Sequence, residues 1–424
     1  METMKIKLSE VIDDIAAGPF GSNLKVSCFV DYGFPIIDGA NLKGYKVTDN
    51  ITKFVTEEKA RSLHRSIAKR GDVVVTISGT LGQIAYIPTD SKFKEYLCSQ
   101  RQFRATFNPE RVYPPYLVFY FHTWEGKHKI LSFANQTGVP ALSQPLKNFK
   151  NIIIELPSIE VQKKIASFCE MLNDKIEQNN KINKNLEQQA VLLFRSWFST
   201  FSHSDGRKSK PSEFGEIPED FSVVKVGNLP MLVTDYVANG SFASLKQNVT
   251  LYQEPNYAYF IRNTDLKSGT FGVYVDKHSY EFLTKSTLYG GEIIISNVGD
   301  VGSVFLCPKL DGPMTLGNNI IMLRPQNDHL RLYLYIWFKY LQGQAIIQGI
   351  KGGSVQPKFN KTDFKNTSVL LPPDELLSRF ANIVSPMFTC IEENRLENQN
   401  LSALRDSLLP KLMSGEIDIS DIDL

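Results

Sequence analysis

Apolar residues follow two rhythms along this chain, and the change from one to the other happens twice. From the N terminus to about residue 157, and again from about 212 to 372, they come in short runs bounded by Gly, Pro, Asn and Asp, which predicts strands joined by turns. The clearest runs are "DVVVTIS" (72–78) and "EIIISNV" (292–298), each leading into a Gly-rich turn. After "LPSIEVQ" (156–162) and "LPPDELL" (371–377), Gly and Pro nearly vanish and helix formers take over, with Ser158 and Asp374 as predicted caps. In the first helical stretch Ile165, Leu172, Asn179, Leu186 and Leu193 occupy heptad a, while Phe168, Lys175, Ile182 and Gln189 occupy d. Adding 215 to the a positions lands on Phe380, Met387, Asn394, Leu401 and Leu408, so an Asn interrupts both seams at the same point. We therefore expect two long antiparallel helices paired through Leu172, Leu186, Met387 and Leu401, with Asn179 facing Asn394 to fix register. The competing reading makes both Asn residues incidental polar breaks on solvated faces, because d also carries Lys175, Gln189 and Glu397. A helix of ~39 residues spans ~58 Å, about 17 base pairs of duplex.

The two rhythms repeat because the sequence repeats. "KRGDVVVTISGTLGQIAYIP" (69–88) matches "YGGEIIISNVGDVGSVFLCP" (289–308), with Gly71, Gly79, Gly82 and Pro88 falling on Gly291, Gly299, Gly302 and Pro308 at a constant offset of 220. "YLVFYF" (116–121) answers "YLYIWF" (333–338) at 217, and "NFKNIIIELP" (148–157) answers "DFKNTSVLLP" (363–372) at 215. Near the start of each copy stands one loop written twice, "GPFGSNLK" (18–25) and "GSFASLK" (240–246). Preserved order with a slowly drifting offset describes a duplicated unit with small insertions, and two copies are too few for a solenoid.

Composition narrows the class only slightly. A chain of 424 residues exceeds one ordinary core, and 42% hydrophobic with 22% charged residues describes a soluble globular protein. No apolar run reaches the ~18 residues of a membrane span, and the first residues lack a signal-peptide stretch, so a cytoplasmic location is expected. The five cysteines (Cys28, Cys98, Cys169, Cys307, Cys390) are scattered without a Cys-x-x-Cys pair, which favours buried free thiols over a disulfide framework, and no metal site is expected. A net charge of +2 neither requires nor excludes nucleic acid, so any basic footprint must be local.

A globular half, a long helix, a similar half and a second long helix together resemble the specificity (S) subunit of type I restriction-modification systems. The resemblance covers nearly the whole chain and rests most on the two loops above, on "RGDVVVTISGTLG", on "TGVPALSQPLKNFKNIIIELPSIEVQKKIA" leading into the first helix, and on the closing "LLPKLMSGEI". It implies an α+β chain with two tandem target recognition domains related by pseudo-twofold symmetry and separated by two long antiparallel coiled-coil helices. The boundaries expected are 1–157 and 212–372 for the recognition domains, 158–200 and 373–414 for the spacer helices, 201–211 for a linker and 415–424 for a tail. The implied function is recognition of a bipartite, asymmetric double-stranded DNA target and docking of two modification (methyltransferase) subunits and of restriction (translocase/endonuclease) subunits. Cofactors are expected only in those partners, as S-adenosylmethionine, ATP and Mg2+. The chain itself would be non-catalytic. One departure from the family pattern is "DELLSRFANI" in the second copy, where "IEVQKKIASF" in the first carries the usual acidic-Gln pattern.

If each half reads one part of a split site, contacts to phosphate can be shared while contacts to bases must differ. The repeated loop offers the shared kind: small residues for close approach, Ser22, Asn23 and Ser244 as donors, and Lys25 and Lys246 as cations. Its alternative is a turn kept for packing by Phe20 and Phe242. Aligned positions with unlike polar residues are the candidate base readers: Asp38 against Arg262, Thr80 against Asp300, Gln83 against Ser303, and Arg101 and Gln102 against Asn318 and Asn319. Gln136, Lys351, Gln356 and Lys358 belong to a third region, the loops 135–147 and 349–361 that precede the helices.

Two competing classes are an autonomous DNA methyltransferase or nuclease and a coiled-coil scaffold that binds no DNA. "YPPY" (113–116) has Tyr113 where an adenine methyltransferase site needs an amide or carboxylate acceptor, and reads as a turn before a regular element. "EEK" (57–59) has no upstream Pro-Asp partner and reads as an ion-rich helix start, while "SGTLGQ" and "NVGDVGS" lack the Lys-Ser/Thr of a phosphate-binding loop. A scaffold leaves two elaborate halves unexplained. Steep loss of duplex affinity with salt separates a DNA reader from it.

Overall fold

The computed structural model describes residues 3–135, 139–199, 208–353 and 356–419. The chain divides into two units, Met1–Gln178 with Glu397–Leu424, and Asn179–Leu396.

In the first unit, Ile12–Ala17, Gln102–Phe107, Val73–Thr76 and Ile84–Tyr86 form an antiparallel four-stranded sheet in that order. A second sheet runs Phe29–Val30, Phe54–Val55, Phe34–Ile37, Glu95–Cys98, Ile67–Lys69, with a parallel step between Phe34–Ile37 and Glu95–Cys98. The run Val73–Val75 is apolar at every position because both of its faces are covered. Val73 and Val75 pack with Phe103 and the helix Pro114–His122, while Val74 packs with Ile37, Tyr96 and Cys98 of the other sheet. "YPPY" is the start of that helix, with Pro at its first positions where no amide is needed. Glu57–Ser62 is likewise a helix, capped by Thr56 Oγ1 accepting from the Lys59 amide at 3.2 Å.

The second unit repeats this topology strand for strand. Its four-stranded sheet runs Met231–Asp235, Ile320–Pro325, Ile293–Ser296, Val304–Leu306. Its five-stranded sheet runs Leu251–Tyr252, Tyr274–Val275, Ala258–Ile261, Met314–Leu316, Thr287–Leu288, again with one parallel step, between Ala258–Ile261 and Met314–Leu316. Ile293 and Ile295 face one core and Ile294 the other, as the valines do. The hairpin Ser209–Ser212 with Gly215–Pro218 is an addition of this unit.

The long helices are Ile159–Phe198 and Asp374–Ser414. Ser158 Oγ accepts from the Val161 amide at 3.4 Å, as a cap should. Asp374 differs from expectation: it is already helical, and its carboxylate lies in the first turn, where the helix dipole favours it. Each unit takes a piece of both helices, and the pieces run antiparallel. In the first unit Arg405 donates to Asn173 Oδ1 at 2.6 Å and Lys175 meets Glu397 at 3.3 Å, so two of the polar seam positions satisfy each other. In the second, Phe194 and Phe198 meet Phe380 edge-to-face, with ring centroids 5.9 and 5.0 Å apart. The end of the chain thus finishes the core of the unit built from its beginning, since Leu409, Leu412, Met413 and Ile419 are buried with Ile165 and Cys169. Cys98, Cys169 and Cys307 are buried free thiols, with Cys28 and Cys390 partly buried.

The seam residues are placed as follows. Asn179 is fully buried and Leu172 nearly so, while Leu186, Met387 and Leu401 are half-buried. Asn394 donates from Nδ2 to Asn183 Oδ1 at 2.8 Å, a partner one helical turn beyond Asn179. No helix among the described residues is long and apolar enough to cross a membrane.

Candidate nucleic-acid interface

Sheet register brings segments far apart in sequence to one place in each unit, by the same hydrogen bonds. Ser99 N donates to Ile37 O at 2.9 Å, as Gly317 N does to Ile261 O at 2.8 Å. Ile77 N donates to Arg101 O at 2.7 Å, as Asn297 N does to Asn319 O at 3.1 Å. Gly79 N donates to Pro140 O and Gly299 N to Pro357 O, both at 2.9 Å. The ends of two strands, the Gly turn and the loop before the long helix are therefore fastened together in each unit. The turn needs its glycines: Gly79 and Gly82 have φ of +96° and +84°, and Gly299 and Gly302 have +76° and +95°.

The repeated loop joins the same cluster in the first unit. Gly18 N donates to Gln102 O at 2.8 Å, and Gln100 Nε2 donates to Gly21 O and Leu24 O at 2.8 and 2.9 Å. Gly18 lies so close to its neighbours that a Cβ there would sit 1.8 Å from Ser99 O. Ser22, Asn23 and Lys25 are exposed on this loop. In the second unit the equivalent loop opens the helix Phe242–Asn248, capped by Ser241 Oγ, with Ser244 half-buried in its first turn and Lys246 exposed in its last. Leu24 and Leu245 anchor the two loops in the core. Phe20 and Phe242 do the opposite, at 81% and 82% exposed, which overturns the reading of the loop as a turn held by these rings.

The candidate base readers divide sharply by what already engages them. Asp38 and Arg262 occupy matching positions, each the N-cap of the short helix that follows a central strand. Asp38 is paired with Lys53 at 2.6 Å; burial opposes its charge, but that ammonium and the Ala40 amide hold its carboxyl below the ordinary value. Arg262 makes a two-pronged pair with the buried Asp265 at 3.0 and 2.7 Å. Hydrogen bonds from Lys267 and Ser303 hold Asp300 below its ordinary value, with the Lys267 contact at 2.6 Å. Gln83 spans Thr76 Oγ1 and Gly39 O, both at 3.1 Å. Thr80, Arg101, Asn318, Asn319, Gln356, Lys351 and Lys358 are exposed, Lys351 within 3.4 Å of Gln348 Oε1. Lys25, Arg101, Lys246 and Lys358 form no ion pair with any described residue. Gln136 lies outside the described residues.

Two pairings between the copies, Arg101 with Asn318 and Gln102 with Asn319, are corrected by register. Gln102 lies opposite Thr76 and Ile320 opposite Ser296, so Gln102 corresponds to Ile320, Arg101 to Asn319 and Gln100 to Asn318. Gln102 is accordingly buried at 1% exposure, accepts from Ser99 Oγ, and is a strand residue turned inward. Gln100, the loop clamp, is the residue that matches Asn318, a correspondence that linear spacing misses by one residue. The exposure of Phe20 and Phe242 had a signal, a large apolar residue repeated among small and polar ones.

The chain matches the family described as "Type I restriction modification DNA specificity domain" twice, over residues 7–188 and 219–403. It is similar to the type I restriction enzyme MjaIX specificity subunit of Methanocaldococcus jannaschii, 24% identical over 98% of this chain and 94% of that protein. It is also similar to the HindI specificity subunit of Haemophilus influenzae, 23% identical over 82% of this chain and 87% of the other. Among solved structures, that of a type I restriction-modification system S subunit from M. genitalium shares the fold, with a TM-score of 0.58 at 14% identity over 97% of this chain and 96% of that one.

Proposed function

The chain belongs to the type I restriction-modification DNA specificity family, with one specificity domain in each half, and from this premise we propose that each unit reads one part of a two-part duplex target through its own loop cluster. The observation that carries this is the pairing of constancy and difference. The backbone hydrogen bonds that fasten the strand ends, the Gly turn and the loop before the long helix are the same in both units, while the side chains they display differ. A shared mount with unlike groups is what two half-sites of different sequence require.

Charge supports a division of labour among the residues. Lys25, Arg101, Lys246 and Lys358 are exposed cations without ion-pair partners among the described residues, suited to phosphate or guanine. Asn318, Asn319, Thr80, Ser22, Asn23 and Gln356 are exposed donors and acceptors suited to base edges or backbone. Asp38, Arg262, Asp300 and Gln83 are already hydrogen-bonded and serve by shaping the loops that carry the others. In this reading the chain has no catalytic residue of its own. Methyltransferase subunits using S-adenosylmethionine dock on the long helices, and restriction subunits using ATP and Mg2+ join them.

The test is methylome sequencing of cells that carry this chain with its modification subunits, before and after residues 1–155 are exchanged for another recognition domain. The expected result is a bipartite methylated motif in which one half changes and the other stays. A change in both halves, or methylation by the purified chain alone, refutes the proposal.

A further inference from the structure

Two phenylalanines stand out because they break, in the same way and twice, the rule that governs the rest of their loops. Leaving a Phe side chain in water forgoes roughly 1.5–3 kcal/mol relative to burying it. A single exposed aromatic is ordinary, and the first unit has others, Tyr32 on the bend between Phe29–Val30 and Phe34–Ile37 and Trp124 stacked on His128. Phe20 and Phe242 differ in occupying equivalent positions of a loop written twice, each four or three residues before a leucine that is buried. The loop thus has an inside residue and an outside residue, and the outside one is a bare ring in both copies.

The mounts are rigid. Under Phe20, Gln100 holds the carbonyls of Gly21 and Leu24, and Gly18 is wedged against Ser99 O. Beneath Phe242, Ser241 caps the helix that begins at the ring, and Asn239 ties the preceding turn to Ser286 Oγ at 2.8 Å and to the Lys285 amide at 2.9 Å. A ring on a hydrogen-bonded base, in a loop that also carries Lys25 in one unit and Lys246 in the other, suits an anionic polymer with apolar layers inside. We propose that Phe20 and Phe242 are wedges, each inserting its ring at a base step of its own half-site and partly unstacking it, while the neighbouring lysine holds the flanking phosphate. The proposal rests on the reading of each unit as a half-site reader. It adds a shape-dependent component of specificity, because pyrimidine–purine steps open more readily than others.

The experiment uses the full chain assembled with its modification subunits and duplexes in which 2-aminopurine replaces single bases along each half-site. Wild type should brighten 2-aminopurine at one step per half-site. Phe20→Ala should weaken duplex binding by about 10- to 100-fold, the range of one aromatic–base contact, and abolish brightening in the first half-site only. Phe242→Ala should do the same in the second, and Phe20→Leu, still an apolar wedge, should keep part of the signal. Lys25→Ala should lower the salt slope by about 1 while leaving the brightening in place. Two results overturn the wedge: alanine variants that bind and brighten like wild type, or variants that lose the modification subunits while retaining the DNA signal, which would make the rings a protein contact. A wild-type assembly that binds no duplex in a salt-dependent way would instead sink the half-site reading beneath it.

Discussion

Leu409→Ala places a change near the end of the chain and should be felt by the unit built from its beginning. Leu409 is 3% exposed and packs in the core that contains Ile165, Cys169, Val73 and Phe103, although the whole second unit separates it from them in sequence. Truncating a buried leucine removes its transfer free energy and leaves a cavity, at a cost of about 2–5 kcal/mol. At ~1.36 kcal/mol per tenfold, amides protected by the core of the first unit should exchange roughly 30- to 5,000-fold faster. The assay is hydrogen–deuterium exchange on the intact chain, comparing peptides over Val73–Thr76 and Gln102–Phe107 with those over Ile293–Ser296 and Ile320–Pro325. The first pair should lose protection and the second should keep it. Phe194→Ala should give the mirror result, since Phe194 is fully buried against Phe198, Tyr333 and Phe380, and truncation of a buried Phe costs about 3–5 kcal/mol. Leu409→Met, which nearly conserves volume, should cost under about 1.5 kcal/mol. Faster exchange in the second unit after Leu409→Ala, or in neither, would refute the interlocked division of the helices.

Gly18→Ala puts a methyl 1.8 Å from Ser99 O, so the first unit should lose about 2–4 kcal/mol and its half-site affinity together, read by thermal melting and by binding to each half-site separately. Glu187 is partly desolvated, which opposes its charge, but Lys339 at 2.6 Å and Tyr335 hold its folded pKa below the ordinary value. Its contribution is therefore present above the unfolded carboxylate pKa and fades as pH falls through the folded one, so Glu187→Gln should cost about 1–3 kcal/mol near pH 7 and little near pH 3 in chemical denaturation; a difference that grows in acid would contradict the sign. One extra helical turn, ~5.4 Å, inserted beside Asn179 and again beside Asn394 should lengthen the gap in the methylated motif by one or two base pairs without altering the bases read, and altered bases would refute the spacer role.

Much of this was legible in order along the chain. The constant offset of 220 from Gly71 to Pro88 carries over onto matching strands and turns because those glycines sit at positive φ, where few other residues serve. Less was legible where a single residue of slip changes the answer. Gln102 and Arg101 are neighbours of similar polarity, yet only pairing with Thr76 reveals that one points inward and the other outward. The seam behaved likewise: heptads placed Asn179 and Asn394 at matching positions, but which amide meets which depends on helix stagger, and Asn394 reaches Asn183.

By itself, then, the sequence determined the duplication, the two long helices, the clearest strands and the candidate surface loops, because these follow from local periodicity, from turn chemistry and from self-similarity; helices such as Pro114–His122 and Asp328–Lys339 lie within stretches whose apolar runs read as strands. Tertiary structure alone decided which side chains remain available. Lys53 and Asp265 take up Asp38 and Arg262, and the last helical turns close the core of the first unit. Such pairings depend on distances between residues far apart in the chain, and no local pattern encodes them.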